Sequence, residues 1–430
     1  MHLVLRPDNA RGRAINAGSG DIVTSCRSCA TPLPAPFLDL GRTPVANRLL
    51  ASRDDVEEDY PLAVAHCPSC SLVQLAWALP AGALFDEDYP YYSSFSDALV
   101  QHSKRHVEAL VEERRFGLDS FVVEVASNDG YLLQSAAERD VRVLGVEPTA
   151  GPAAAARDKG LPTRQAFFGQ ELAEDIVRTE GPADVIIANN VMAHVPELND
   201  FVAGLARLVA PRGVITVENP SVIELISHRE FDTIYHEHYC YFSCTAVDAL
   251  MRRHGLTMFR VQEFPKLHGG TLRWWMSPTS AGAQVEDSVG LHLDREHTLG
   301  VQEPAYYADF GSSVAGVQQR LTALLKELKA AGRSIAAYGA AAKGATLLNS
   351  TGIDSRMIEF VVDRNTNKQG KWLPGARVPI LSVEALMERS PDDVLLLAWN
   401  FADEIVRQQQ DYRDAGGRFI VPVPEPMVLA

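Results

Sequence analysis

Phe121-Val122-Val123-Glu124-Val125-Ala126-Ser127-Asn128-Asp129-Gly130 is the stretch on which the fold of this 430-residue chain turns. Its first half is apolar and valine-rich apart from one acid, the signature of a buried strand. Its second half is a polar turn closed by a single glycine. Downstream, Tyr131 to Arg139 has a helical pattern. Val141 to Val146 is a second apolar strand, ending at Glu147 and followed by an alanine-rich helix. Asp184 to Ala188 is another strand and runs into Asn189-Asn190. A helix near Leu198 to Val209 and a Pro211-Arg212-Gly213 turn then lead to Val214–Glu218. Such alternation predicts an α/β domain, a parallel sheet with helices on both faces.

Open sheets of this kind bind ligands outside the carboxyl ends of their strands. Three such ends are polar here. Around the first, Glu124, Ala126, Ser127, Asn128, Gly130, Tyr131 and Leu132 are candidate cofactor residues; at the second, Glu147 and Pro148; at the third, Asn189 and Asn190. Glu147 follows Glu124 by 23 residues, a spacing that lets its carboxylate accept ribose hydroxyls. The first loop is not G-x-G-x-x-G. Ser127, Asn128 and Asp129 stand where a pyrophosphate would require glycine, so a ligand without phosphate fits better, and S-adenosyl-L-methionine is the common one.

A second strand–helix series begins near Arg333. Ser334–Tyr338, Ile358–Asp363 and Val394–Trp399 read as strands, and Arg320 to Ala331 as the helix before them. The loop Gly339 to Gly344 places Lys343 before the second glycine, which argues against a P-loop, and it lacks the middle glycine of a nicotinamide site. It suits a diphosphate at a helix N-terminus, or a tight packing turn with a solvated lysine. Lys368, Lys371 and Arg377 add positive charge nearby or belong to a solvated loop.

Upstream, four of the six cysteines form two knuckles, Cys26-x-x-Cys29 and Cys67-x-x-Cys70. Two knuckles close a tetrathiolate zinc site with no open position, so this Zn²⁺ is expected to hold a fold and do no chemistry. A redox pair beside a chance pair is the weaker reading. Cys240 and Cys244 read as buried thiols. The expected domains are a zinc-binding module at 22–80, a cofactor domain at 81–265 and a Rossmann-like domain at 266–430, with Met1 to Asp21 a flexible lead-in.

The charge balance, 40 basic against 55 acidic residues for a net −15, supplies no footprint for nucleic acid. No run of 18 apolar residues suggests a membrane span, and Met1 to Asp21 lacks the apolar core of a secretory signal. A cytoplasmic location and a monomer are the default expectations.

The densest acid–base chemistry lies at Tyr235-His236-Glu237-His238-Tyr239-Cys240-Tyr241-Phe242-Ser243. The H-E-x-x-H zinc spacing is absent. Imidazoles near neutrality can take a carbon-bound proton, and tyrosine hydroxyls can donate to a developing enolate, although a packed histidine–tyrosine network has the same composition. If extended, the piece would turn His236 and His238 to one face and Glu237 to the other.

Acid in the first strand, acid ending the second, asparagines ending a later one and the Pro-Arg-Gly turn together resemble class I methyltransferases. With the cysteine knuckles, the E-V-A-S-N-D-G loop, the Y-H-E-H-Y-x-Y-F-S block and Tyr338-Gly339-Ala340-Ala341-Ala342-Lys343-Gly344, the chain from residue 22 onward resembles the sugar 3-C-methyltransferases of branched deoxysugar synthesis. That resemblance implies deprotonation at C3 of a dTDP-4-keto-6-deoxyhexose and attack of the enolate on S-adenosylmethionine, without a catalytic metal. It implies His238 as base, with Tyr235, Glu237, His194 and Tyr89 in the same pocket. Tyr338, Gly339, Ala340, Lys343, Asn219 and His236 would contact the substrate. The rival readings are a dehydrogenase, disfavoured by the missing glycines, and a non-catalytic regulator that binds zinc and S-adenosylmethionine.

Overall fold

The computed structural model describes residues 20–85, 91–265, 267 and 269–429. The lead-in before residue 20 and Tyr89 lie outside the described residues.

All five residues of the strand Phe121–Val125 are buried, Glu124 included. The strand sits inside a seven-stranded sheet whose spatial order is 256–264, 271–278, 209–220, 183–189, 121–125, 142–146, 163–164. Five of these strands pair in parallel, and Thr271–Pro278 is antiparallel to both of its neighbours. This is the arrangement expected of a class I methyltransferase. The boundary expected at residue 265 falls inside the hairpin 256–278, because the antiparallel strand completes this sheet. The Pro211-Arg212-Gly213 turn is an irregularity within one strand, Val209–Pro220, where the register shifts between Val209 and Val214. The helix expected over Tyr131–Arg139 is only Leu133–Ala137, since Gly130 is in the left-handed region at φ 78°.

The helix Asp97–Arg114 is capped by Ser96, whose Oγ accepts from the Leu99 amide. It buries Leu99, His102, His106, Val107 and Leu110 at helical spacing. The two histidines meet polar groups of the sheet. His102 Nε2 lies 2.9 Å from Glu218 Oε2, and His106 Nε2 lies 3.1 Å from Thr216 Oγ1. Arg273 donates through Nε to Glu218 at 2.5 Å and through Nη1 to Gln262. Burial alone would raise the Glu218 carboxyl, but the Arg273 guanidinium and His102 hold it down at about 2.

The carboxy-terminal sheet runs 380–381, 361–362, 335–338, 393–396, 418–421, 427–429, parallel except for the last strand. The strand expected over Ile358–Asp363 is reduced to Val361–Val362, and Asp363 turns back to accept from the Ala340 and Asn365 amides. The amino-terminal module is a four-stranded sheet, 38–44, 59–66, 73–75 and 240–241. Its fourth strand comes from the methyltransferase domain. One apolar core runs continuously through all three parts, from Leu62 and Val64 through Phe201 and Val217 to Leu347 and Ile380. Among the described residues no helix is long and apolar enough to cross a membrane.

Breaking the buried Glu218 pair strands a charge in the core. Arg273→Met is expected to cost about 3–5 kcal/mol of unfolding free energy in denaturant titration.

Candidate active site

The carboxyl edges of the two parallel sheets open into the same cavity, about 580 Å³ in volume. On the methyltransferase side Ala126, Asn128, Tyr131, Glu147, Pro148 and Asn189 line it, with Asn190 and Asn219 beside them. On the other side are Ala341, Ala342, Lys343, Arg364, Lys368 and Asn400. The amino-terminal module adds Asn47.

The E-V-A-S-N-D-G loop is wound tightly. Ala126, Asn128 and Gly130 have φ of 56°, 50° and 78°, so every second residue is left-handed. A Cβ on Gly130 would meet Leu161 at 2.3 Å, a packing reason for glycine there. The winding brings the Asn128 amide to Glu147 Oε2 at 3.0 Å, while the Thr149 amide donates to Oε1 at 2.9 Å. Two fixed donors orient the Glu147 carboxylate at the cavity wall. Burial pushes its pKa up, and these hydrogen bonds oppose the rise. Glu124, Ser127 and Leu132 are buried behind the wall, not on it. Glu124 is raised well above the usual range by burial and then by the Asp129 and Glu147 charges, which suits a group supporting the loop.

Asn189 and Asn219 end adjacent strands. Both amide atoms of Asn189 and Oδ1 of Asn219 are buried without a hydrogen-bond partner. Unpaired polar atoms at strand ends on a cavity mark a ligand's place. S-adenosylmethionine fits: Glu147 provides acceptors for a ribose, Asn189 provides both donor and acceptor, and no basic cluster implies phosphate there. Sequence reading missed the aromatic surround, which includes Tyr92, Phe95, Phe167 and Phe168. Those positions carry no local motif. The segment bearing Tyr92 and Phe95 is tied down by Asn128, whose Oδ1 accepts from the Ser93 amide at 2.8 Å.

The first half of the His–Tyr block, Tyr235 to Tyr239, is a turn rather than a strand, so alternation does not apply to His236, Glu237 and His238, and the chain becomes extended only at Cys240–Tyr241. His238 faces the cavity, with Nδ1 2.8 Å from the Thr233 carbonyl and Nε2 2.8 Å from the Tyr235 hydroxyl. A carbonyl only accepts, so Nδ1 carries the proton and Nε2 carries the lone pair that Tyr235 O–H meets. The His194 ring is 4.6 Å away, held neutral by burial, which drops its pKa to about 4. Glu237 lies just behind this wall and accepts from Asn47 Nδ2 at 2.5 Å. His236 departs from the substrate role expected of it. Its ring packs edge-on against Tyr60 and Trp77, outside the cavity, and burial lowers it to about 4.

The glycine loop of the carboxy-terminal domain is a tight packing turn in its first half. Gly339 is at φ 94°, where a Cβ would meet that of Ala398 at 2.7 Å. The Ala340 amide is taken by Asp363, and its carbonyl accepts from Lys368 Nζ at 2.8 Å. Tyr338, Gly339 and Ala340 therefore support the wall without forming it. Lys343 does reach the cavity, but it is half-buried and engaged. Its Nζ donates to Asn400 Oδ1 at 2.9 Å, sits 4.4 Å over the Trp399 ring and faces the charges of Asp232 and Glu230.

The four knuckle cysteines converge. Their Sγ atoms lie within 4.8 Å of one another, with Cys26–Cys70 and Cys29–Cys67 each at 3.5 Å. A zinc tetrahedron with bonds of about 2.3 Å has sulfur–sulfur edges of about 3.8 Å, so the cluster fits the ion. The S–H···S contact between Cys26 and Cys70 pushes Cys26 up and draws Cys70 down. Cys240 and Cys244 are buried elsewhere, Cys244 Sγ accepting from Trp274 Nε1.

Fold and ligand edge together define an S-adenosylmethionine-dependent methyltransferase joined to a zinc-binding module. Residues 26–85 match a zinc binding domain, 102–261 a methyltransferase domain and 266–424 the C-methyltransferase C-terminal domain. The C-methyltransferase NovU of Streptomyces niveus is 36% identical over 412 residues, 95% of this chain and 97% of that protein. The chain belongs to the C-methyltransferase family. Among solved structures, magnesium protoporphyrin IX methyltransferase of Synechocystis PCC 6803 with bound SAM aligns over 41% of this chain and 78% of its own, at 15% identity and a TM-score of 0.32. The DhpI–SAH complex aligns over 43% and 91%, at 20% and 0.31.

Glu147→Ala is expected to weaken S-adenosylmethionine binding roughly 10- to 100-fold by calorimetry, the cost of losing hydrogen bonds to a charged acceptor. Chelation of the metal is expected to raise amide exchange across residues 22–80 and lower the melting temperature. Exchange unchanged by chelation would deny the zinc its structural role.

Proposed function

We propose that this enzyme methylates C3 of a dTDP-4-keto-6-deoxyhexose, with the cofactor on the methyltransferase edge of the cavity and the nucleotide sugar on the opposite edge. The observation that carries the reading is the orientation of His238. The Thr233 carbonyl fixes its tautomer, so the basic lone pair is on Nε2, where the Tyr235 hydroxyl meets it, and the residue lines the cavity between the two edges. The C4 ketone acidifies the C3–H bond. With the Tyr235 hydroxyl turned from Nε2 toward the ketone oxygen, His238 Nε2 takes that proton; the bonding pair becomes the C3=C4 bond and the carbonyl pair moves onto oxygen to give an enolate. S-adenosylmethionine, when bound, would supply the electrophilic methyl group, to which C3 bonds as the methyl–sulfur bond breaks and S-adenosylhomocysteine leaves. Neutral His194 adds no repulsion as the imidazolium forms, and the Thr233 carbonyl keeps the Nδ1 proton hydrogen-bonded.

The diphosphate would lie by Ala341, Ala342 and the N-terminus of the helix Ala342–Thr351. Lys368 and Arg364 are the nearby cations on the cavity wall. Lys343 faces two carboxylates, so its charge is largely offset and its part is to fix this edge.

The test uses a dTDP-4-keto-6-deoxy sugar in D₂O, read by mass spectrometry with and without S-adenosylmethionine. Cofactor-dependent gain of one methyl, and enzyme-dependent deuterium uptake at C3 without cofactor, are expected. His238→Asn should abolish both while leaving cofactor affinity near normal. A mutant at the wild-type rate would remove His238 from the role, and neither signal across several 4-keto sugars would overturn the substrate assignment.

A further inference from the structure

Among the described residues before position 80, Asn47 is the one with which the amino-terminal module lines the cavity. Asn47 sits in the turn that follows the strand Leu38–Pro44, lines the cavity, and donates from Nδ2 to Glu237 Oε2 at 2.5 Å. The Asn47 main-chain amide is a second donor to the same carboxylate. The turn itself is seated by contacts from all three parts of the protein, since Ala46 packs with Ala342 and Ala345 of the carboxy-terminal domain and with Tyr235. Glu237 is buried, and its other oxygen, Oε1, has no hydrogen-bond partner. A buried carboxylate stays charged and in place only where donors hold it.

We propose that Asn47 is a positioning residue of the methyl-transfer site: it clamps the ionised Glu237 carboxylate directly behind Tyr235 and His238, so that the zinc-binding module completes the catalytic wall. The inference rests on the C-methyltransferase reading of that wall. Glu237 immediately precedes His238, its carbonyl meets the His194 ring, and its charge acts on Tyr235 and Tyr239. Arg48 and Lys368 are the cations that face it. Burial lifts its carboxyl to about 7, and the Asn47 side chain is the largest influence opposing that rise.

Removing the amide therefore raises this pKa further, so less Glu237 is ionised at neutral pH and the acid limb of turnover moves to higher pH. In Asn47→Ala, kcat at pH 7 is expected to fall roughly 10- to 100-fold, as for a lost charge-assisted hydrogen bond. The acid limb should shift upward by about one to two pH units, the shift that corresponds to that loss, while the Kd for S-adenosylmethionine and the zinc content match those of the unmodified enzyme. Asn47→Asp, which sets a second carboxylate against the first, should move the limb further in the same direction. In a Glu237→Gln background, where no charge needs holding, Asn47→Ala should cost little more.

An Asn47→Ala enzyme that loses only melting temperature, with kcat and pH profile unchanged, would overturn the proposal. So would an equal loss in the Glu237→Gln background. Failure of the unmodified enzyme to methylate any 4-keto sugar would instead count against the substrate reading, and the two failures are separable.

Discussion

Cys240 and Tyr241 belong in sequence to the methyltransferase domain, yet they form the edge strand of another module's sheet, paired with Gln74 and Val73. The rest of the site depends on that splice. Immediately upstream, the Tyr239 amide donates to the Ala193 carbonyl, its carbonyl accepts from Leu75, and its hydroxyl reaches the Leu79 carbonyl. His238 is thus held between a turn anchored by Thr233 and a strand anchored in the zinc-binding module. A histidine so restrained would lose little freedom on accepting a proton, as the proposed base must. The knuckle cysteines act on the chemistry only through this chain of backbone bonds, consistent with a metal that has no open position.

Charge is handled differently on the two sides of the cavity. Behind the cofactor edge, Glu218 is fully compensated by Arg273 and His102 and stays ionised in the core. Near the opposite edge, Asp232 accepts from Trp399 Nε1 at 2.6 Å, but burial still lifts it to about 6, and Glu230 is pushed up as well. Lys343, sharing that environment, is drawn down by burial. The first arrangement is a fixed strut. The second places two carboxyls, Asp232 and Glu230, close to neutrality near the cavity, as functional sites tend to do.

Much of this was legible in the chain. The strand at 121–125, the acid at 147, the asparagines at 189 and 190 and the two cysteine knuckles all stand where reading by period and spacing puts them, because each is a local pattern. His236 was misplaced because two histidines in a Y-H-E-H-Y block look equivalent until the backbone turns between them and sends one ring onto Tyr60 and Trp77. Gly339 and Ala340 looked like donors for a diphosphate because a glycine loop before a helix has that form. Asp363, 23 residues further on, takes the Ala340 amide instead. Asn47 carries no motif at all. Its importance comes from a contact 190 residues away, and nothing in its neighbours announces such a contact.

The two parallel sheets turn the same kind of edge toward each other, and Ala126, Glu147, Asn189 and Lys343 all sit at or shortly after the carboxyl end of a strand of one or the other. Strands are stiff and loops are not. The gap between donor and acceptor is therefore set by how the sheets dock, while the loops on either side are free to diverge. A lineage could exchange one methyl acceptor for another by rewriting the turns after residues 338, 362 and 396, leaving the opposite bank untouched.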